Sequence, residues 1–225
     1  MNRNEEAARR KRARSERQSL AKGAPTAHLS TALPRDPADA EKTIVVDEVR
    51  RVVSEELAGH GINHLGGTCV FLNGVAYGVL AALDPSNRMA WRLRAGGASC
   101  RTGTEDDQGP LCAGYDFAAS LADGGTGEFH VWVVGGDGPA THAVDLTLED
   151  FERIANQLGL GWNRTLPKYL WGDASRIEAC GLWYASHAVA TEQVERILLL
   201  ETEWFARATR RAIDACAARG ITRLF

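Results

Sequence analysis

Apolar positions recur at helical spacing in four segments of the chain and alternate in four others. In "TIVVDEVRRVVSEELAGHG", Val45, Val46, Val49, Val52, Val53 and Leu57 share one helical face, and Gly59 and Gly61 stop the pattern. In "GGTCVFLNGVAYGVLAAL", Val70, Phe71, Leu72, Val75, Val79, Leu80 and Leu83 make a run that is apolar nearly all round, which predicts a central, buried helix. Gly66 and Gly67 break the chain before it, Thr68 is the expected N-cap and Cys69 the first helical residue. "TLEDFERIANQLG" predicts a helix with Thr147 as N-cap and Leu148, Phe151, Ile154 and Leu158 on its apolar face. "ATEQVERILLLETEWFARATRRAIDACAARG" reads as one long helix, with Glu in its early turns and Arg and Gly at its end.

Period-two alternation marks the strands. "MAWRLRA" alternates Met89, Trp91, Leu93 and Ala95 against polar or small neighbours. "EFHVWVV" and "THAVDLT" read as two strands of a hairpin around "GGDGPA", and "GLWYASH" as a further strand. Residues 96–127 are Gly-rich and acidic, and predict a long loop holding at most one short element.

Helices and antiparallel strands together predict an α+β fold, a central helix packed on an antiparallel sheet. Residues 1–41 carry no sustained apolar face and predict a disordered basic N-terminal tail; residues 42–225 form the domain. The net charge of −3 hides an asymmetry. Eight basic and three acidic side chains in residues 1–22 make that stretch +5 and leave −8 on the remainder. An acidic body is not an obvious nucleic-acid binder; the tail reads as a solvated basic segment or else a weak electrostatic contact for nucleic acid or an acidic partner. No apolar run approaches the roughly 18 residues that span a bilayer. The five cysteines are widely spaced, lack a CxxC pair and follow no signal peptide. They predict free thiols in a reducing cytoplasm and no structural zinc.

The hairpin brings chemistry. With residues 135–140 as the loop, Val134 opposes Thr141 and His130 falls opposite Asp145, on one sheet face. A slip of one residue on both strands leaves them on that face as diagonal neighbours. A carboxylate hydrogen-bonded to an imidazole fixes its tautomer and frees the other ring nitrogen to take a proton from a nucleophile. Cys69, behind two glycines at a helix start, has the unpaired N–H groups and the dipole that favour a thiolate and can hold an oxyanion. Cys69, His130 and Asp145 are therefore the candidate catalytic triad.

These residues carry a resemblance. A helix-borne Cys, then "HVWVV", then "VDLT" resembles the transglutaminase-like branch of the papain-like cysteine enzyme superfamily, and small bacterial and phage families with that core. "GGTCVFLN" is also similar to the cysteine motif of arylamine N-acetyltransferases, matched by Gly66, Gly67, Cys69 and Asn73; Leu65 stands where that family has Arg, and Phe71 where it has Glu. The resemblance implies a papain-like core and a cysteine-dependent acyl-transfer enzyme, an amide or ester hydrolase or a transamidase. Its substrate is a small-molecule or peptide acyl group, and that chemistry needs no cofactor and no metal. The alternatives are an acyl-CoA-dependent N-acyltransferase and a non-catalytic binding module of the same fold.

Asn63, His64 and Trp132 are candidates for substrate or oxyanion contacts. His142 alternates to the face opposite Asp145. Cys100 and Cys112 read as ordinary free thiols, and the aromatic residues of 162–171 as core.

Overall fold

A computed structural model describes residues 37–62, 68–103, 111–122, 128–136 and 141–225. The first helix, α1 (Asp39–Ala58), begins inside the segment expected to be tail. The Ala38 N–H donates to Glu41 Oε2 at 2.7 Å, and Asp39 and Glu41 put negative charge in its first turn. The rest of the expected tail, residues 1–36, lies outside the described residues. Helix α2 (Cys69–Ala82) follows, with Cys69 as its first residue and Thr68 at the N-cap position without a side-chain cap bond.

Among the described residues, six strands form one antiparallel sheet: β1 (Arg92–Arg101), β2 (Leu111–Tyr115), β3 (His130–Gly135), β4 (His142–Asp145), β5 (Leu170–Asp173) and β6 (Leu182–Ser186). The order is β2-β1-β3-β4-β5, and β6 also pairs with β1. Strand β1 is the hub. Its first half pairs with β3, and its second half with both β2 and β6.

Each sheet face has its own core. Val131, Val133, Val144 and Trp171 meet the buried stripes of α1, α2 and α7 (Thr202–Ala218). All six apolar residues expected on the face of α1 are buried. Trp132, Ala143, Leu170 and Leu182 meet Leu148 and Phe151 at the start of α4 (Glu149–Gln157). Helix α2 lies between β3 and α7. A Cβ on Gly78 would come 2.8 Å from Thr209, so the glycine sets that close helix approach. Phe71 packs edge-on to Trp204 and stacks on Phe205, so the position where the acetyltransferase motif has Glu is an apolar helix–helix contact here.

Four expectations are corrected. Residues 96–127 are not mainly loop: β1 runs on through Gly96 and Gly97, and β2 and α3 (Phe117–Ala122) follow. A Cβ on Gly96 would collide with the Ala185 carbonyl, so this glycine, which read as loop, is what lets β6 lie against β1. The last helix is two. Helix α6 (Ala188–Leu200) ends at Glu201, with φ −105° and ψ 27°, before α7 begins. Thr202 Oγ1 donates to the Leu198 and Leu199 carbonyls at this break. The break lets Val194 and Trp204 both reach the core while Leu199 and Leu200 stay exposed. The N-cap of α4 is Leu148, since the Thr147 hydroxyl is engaged elsewhere. The hairpin pairs Val133 with Val144 and Gly135 with His142, two residues out of the expected register. The short α5 (Ala174–Ala179), capped by Asp173, has no counterpart in the sequence reading.

Candidate active site

The shifted register leaves His130 and Asp145 on one face, as diagonal neighbours. Nε2 of His130 lies 2.6 Å from Oδ2 of Asp145, and both side chains are wholly buried. An ionised carboxylate only accepts, so Nε2 carries the hydrogen and donates. His130 Nδ1 is buried and has no hydrogen-bond partner among the described residues. It is the nitrogen left to exchange a proton.

Asp145 is held from all sides. Its Oδ1 accepts from the Thr147 N–H at 2.9 Å, from Thr147 Oγ1 at 2.8 Å and from Asn73 Nδ2 at 3.3 Å. Its Oδ2 accepts from Tyr184 Oη at 2.7 Å as well as from His130. Burial works to raise the pKa of this carboxyl, but His130, Tyr184 and Thr147 outweigh it and keep the pKa below the ordinary range. Burial likewise works to lower the pKa of His130. The Asp145 carboxylate, and after it the Cys69 thiol, outweigh that and push the imidazole up to about 10.

Cys69 approaches from the other element. It is 6% exposed, and its Sγ lies 4.0 Å from the carbonyl oxygen of Phe129, the residue before His130. The thiol lies close enough to His130 to add, after Asp145, to the rise of its pKa. At the first position of α2, its N–H and those of Val70 and Phe71 precede the first intrahelical bond, which Leu72 donates to Thr68.

Asn73, one turn after Cys69, joins helix to strands. Its Nδ2 donates to the Val131 carbonyl at 2.8 Å, and its Oδ1 accepts from the Leu146 N–H at 3.1 Å. It is fully buried.

Aromatic rings enclose the imidazole. Tyr115, at the end of β2, has its ring centroid 5.0 Å from that of His130, and Phe151 lies at 5.5 Å. Burial first, then the charges of Asp150 and Cys69, push the Tyr115 phenol well above its usual range. Trp132 is buried beside this group, 6.5 Å from the His130 ring and 4.9 Å from Tyr184. It is a packing wall of the imidazole, set deep in the second core.

Of the residues singled out from sequence, Cys69, His130 and Asp145 meet in one place with Trp132 beside them. Asn63 and His64 lie outside the described residues. His142 shares the Val144 face, away from Asp145. Cys100 is buried in the second core with its thiol 3.2 Å from the Arg101 carbonyl. Trp162 and Leu166 pack on the second core and Trp171 lies in the first. Sequence reading assigned no site role to Asn73, Thr147, Tyr115 or Tyr184. Asn73 belongs to the recognised cysteine motif and Thr147 to the recognised "VDLT" strand end, whereas Tyr115 and Tyr184 arrive through the pairings of β2 and β6 with β1, which no local pattern announces.

No group of three or more His, Cys, Asp or Glu side chains suited to a metal ion occurs among the described residues. No helix among them is long and apolar enough to cross a membrane. No protein-family model and no curated protein matches the chain. Among solved structures it is similar to the crystal structure of a genomics target, with 14% sequence identity, 84% of this chain and 82% of that chain covered, and a TM-score of 0.41.

Proposed function

We propose that the chain is a cysteine-dependent acyl-transfer enzyme with a papain-like, transglutaminase-like core, acting on an amide or ester through Cys69, His130 and Asp145. The observation that carries this reading is the orientation of His130. Nε2 is committed to a buried carboxylate, and the unpartnered Nδ1 shares its surroundings with a thiol at a helix start. That division of labour is the one a general base needs.

In this reading the proton of the Cys69 thiol rests on His130 Nδ1 as an imidazolium beside the thiolate, and the sulfur attacks the substrate carbonyl. The oxyanion sits against the N–H groups of Cys69, Val70 and Phe71 that open α2. The tetrahedral intermediate collapses as His130 returns the proton to the leaving amine or alcohol, which leaves a thioester on Cys69. Water or a second amine then attacks the thioester, with His130 accepting its proton; the C–S bond breaks, the acid or new amide leaves, and the proton on His130 and the freed Cys69 sulfur restore the starting pair. Asp145 holds the ring and balances the imidazolium.

The test is intact-mass and peptide mapping of separate samples, one exposed to iodoacetamide at pH 6 and the others, unalkylated, to a panel of activated esters, peptide amides and acyl-CoA thioesters. The expected result is modification at Cys69 ahead of every other cysteine, and an acyl adduct on Cys69 from one substrate class. Adducts from acyl-CoA alone would move the assignment to N-acyl transfer. A silent Cys69, with no adduct from any donor, would leave a binding module of this fold.

A further inference from the structure

Among the described residues, Tyr184 is the second side chain on the carboxylate oxygen that His130 uses. Its Oη donates to Asp145 Oδ2 at 2.7 Å, beside the 2.6 Å contact from His130 Nε2. The remaining donors, Thr147 and Asn73, all fall on Oδ1. The arrangement is asymmetric: three bonds fix where the carboxylate sits, and one competes directly with the imidazole. Tyr184 comes from β6, held to β1 by pairing that runs through Ala98 opposite Tyr184. Its ring lies 4.9 Å from Trp132 and 6.1 Å from His130, stacked on the latter.

We propose that Tyr184 is a positioning residue of the candidate active site, whose phenol, by sharing Asp145 Oδ2, sets how firmly the carboxylate holds the His130 imidazolium. This rests on the triad reading for its catalytic consequence but not for its electrostatics. A hydrogen bond to an anion disperses its charge. The charge that Tyr184 draws from Oδ2 no longer acts on Nε2–H. Tyr184 therefore restrains the basicity of His130: the ring stays able to release the proton it took from the thiol, as the return to the leaving group requires. Without the phenol, the imidazolium would be held more tightly and the proton given back more slowly.

The substitution Tyr184→Phe removes one oxygen and keeps the ring contacts. Two readouts are followed in the full chain: the titration of His130 by NMR of its ring protons, and the pH profile of Cys69 alkylation by iodoacetamide. The expected result is an upward shift of the His130 midpoint by about one pH unit, the share of one charge-assisted hydrogen bond. The alkylation midpoint should move to lower pH, because a firmer imidazolium supports the thiolate. Placing 3-fluorotyrosine at position 184, a stronger donor, should shift both in the opposite senses; it also serves if the Phe variant fails to fold. A His130 midpoint that ignores both replacements overturns the proposal. Movement of the His130 midpoint with a Cys69 that is inert in the unmodified protein would uphold the tuning by Tyr184 and remove the triad reading instead.

Discussion

Asn73 stands one helical turn behind Cys69 and is bonded to Asp145 Oδ1, so the helix that carries the thiol is fastened to the carboxylate that orients the imidazole. The same side chain bridges the Val131 carbonyl and the Leu146 N–H, one residue after His130 and one after Asp145. A single buried amide thereby spaces the elements that supply Cys69, His130 and Asp145. Asn73→Ala orphans two backbone groups and thins the shell of Asp145. The expected loss is about 2–4 kcal/mol in urea unfolding. At temperatures where the variant is still folded, alkylation of Cys69 should slow as well, because thiol and imidazole lose their shared brace. Normal stability in Asn73→Ala would show that the amide is dispensable.

Thr147 is a second brace with a separable effect. Its hydroxyl and its N–H both donate to Asp145 Oδ1. Thr147→Val keeps the shape and the N–H and removes one donor from a buried anion. We expect a loss of about 1–3 kcal/mol in urea unfolding. Because the bond lies on Oδ1, the His130 titration should move less than in Tyr184→Phe. Equal shifts in the two variants would mean that the carboxylate responds as one charge and that the choice of oxygen is immaterial.

How far the sequence carries depends on the range of the interaction. The apolar stripe of α1, the start of α2 at Cys69 and the shared face of His130 and Asp145 follow from local periodicity, and the structure has all three. The register of the hairpin does not follow, because a shift of two residues keeps every side chain on its face. The triad candidates survive that error for the same reason. Tyr184 is 39 residues from Asp145 in sequence, and β6 lies close against β1 at Gly96, a residue that discourages a strand in any local reading. Thr147 fitted an N-cap pattern, yet a buried carboxylate two residues earlier is the stronger claim on its hydroxyl. The break at Glu201 is likewise invisible to a helical period, since it answers to the different faces that α6 and α7 must bury.

Asp145→Asn tests the charge apart from the shape. An amide has one donor and one acceptor end, while every neighbour of Asp145 offers a hydrogen: Thr147, Asn73, Tyr184 and Nε2–H of His130. Whichever way the amide lies, its NH2 meets a donor, and the least costly relief is to move the His130 hydrogen to Nδ1. That closes the nitrogen needed for the thiol proton. We expect a folded protein, less stable than the parent, whose turnover falls by about 10⁴, as with the matching change in serine-protease triads. Asp173→Asn, at the exposed cap of α5, is the control and should leave turnover unchanged. Unaltered Cys69 chemistry in Asp145→Asn would take Asp145 out of the mechanism.

The start of α1 predicts two different truncations. Removing residues 1–36 leaves the Ala38–Glu41 cap in place, and the melting temperature is expected to stay within a degree or so of the parent, about the effect of a change away from packed features. Removing residues 1–40 strips the cap and the first turn of α1, including the Asp39 partner of buried Lys42. A lost cap is worth about 1 kcal/mol, which for a domain of this size lowers the melting temperature by about 2–4 °C. Calorimetry of both truncations decides; a large fall already on removing residues 1–36 would mean that the basic segment contributes to the stability of the domain.

Stability should also report the His130–Asp145 pair through pH. His130 is raised from its usual 6.5 to about 10 in the folded chain, the Asp145 carboxylate and the Cys69 thiol overcoming burial. A group whose folded pKa lies above its unfolded one stabilises fully below the unfolded value and loses that contribution as pH rises through the folded value. From this group, stability should therefore decline between about pH 6.5 and 10. Asp145 has the opposite sign, lowered in the folded state, so its contribution is present above its unfolded pKa and fades as pH falls through the folded one. Together they predict a maximum on the mildly acid to neutral side, with a descending alkaline limb that belongs to His130. Urea unfolding at a series of pH values in the parent and in His130→Gln separates this limb from every other titration. The variant should be less stable at pH 6, and the gap should narrow steadily towards pH 10. A gap that stays constant across that range would mean that the imidazole is neutral in the folded protein and that its bond to Asp145 carries no proton-linked stabilisation.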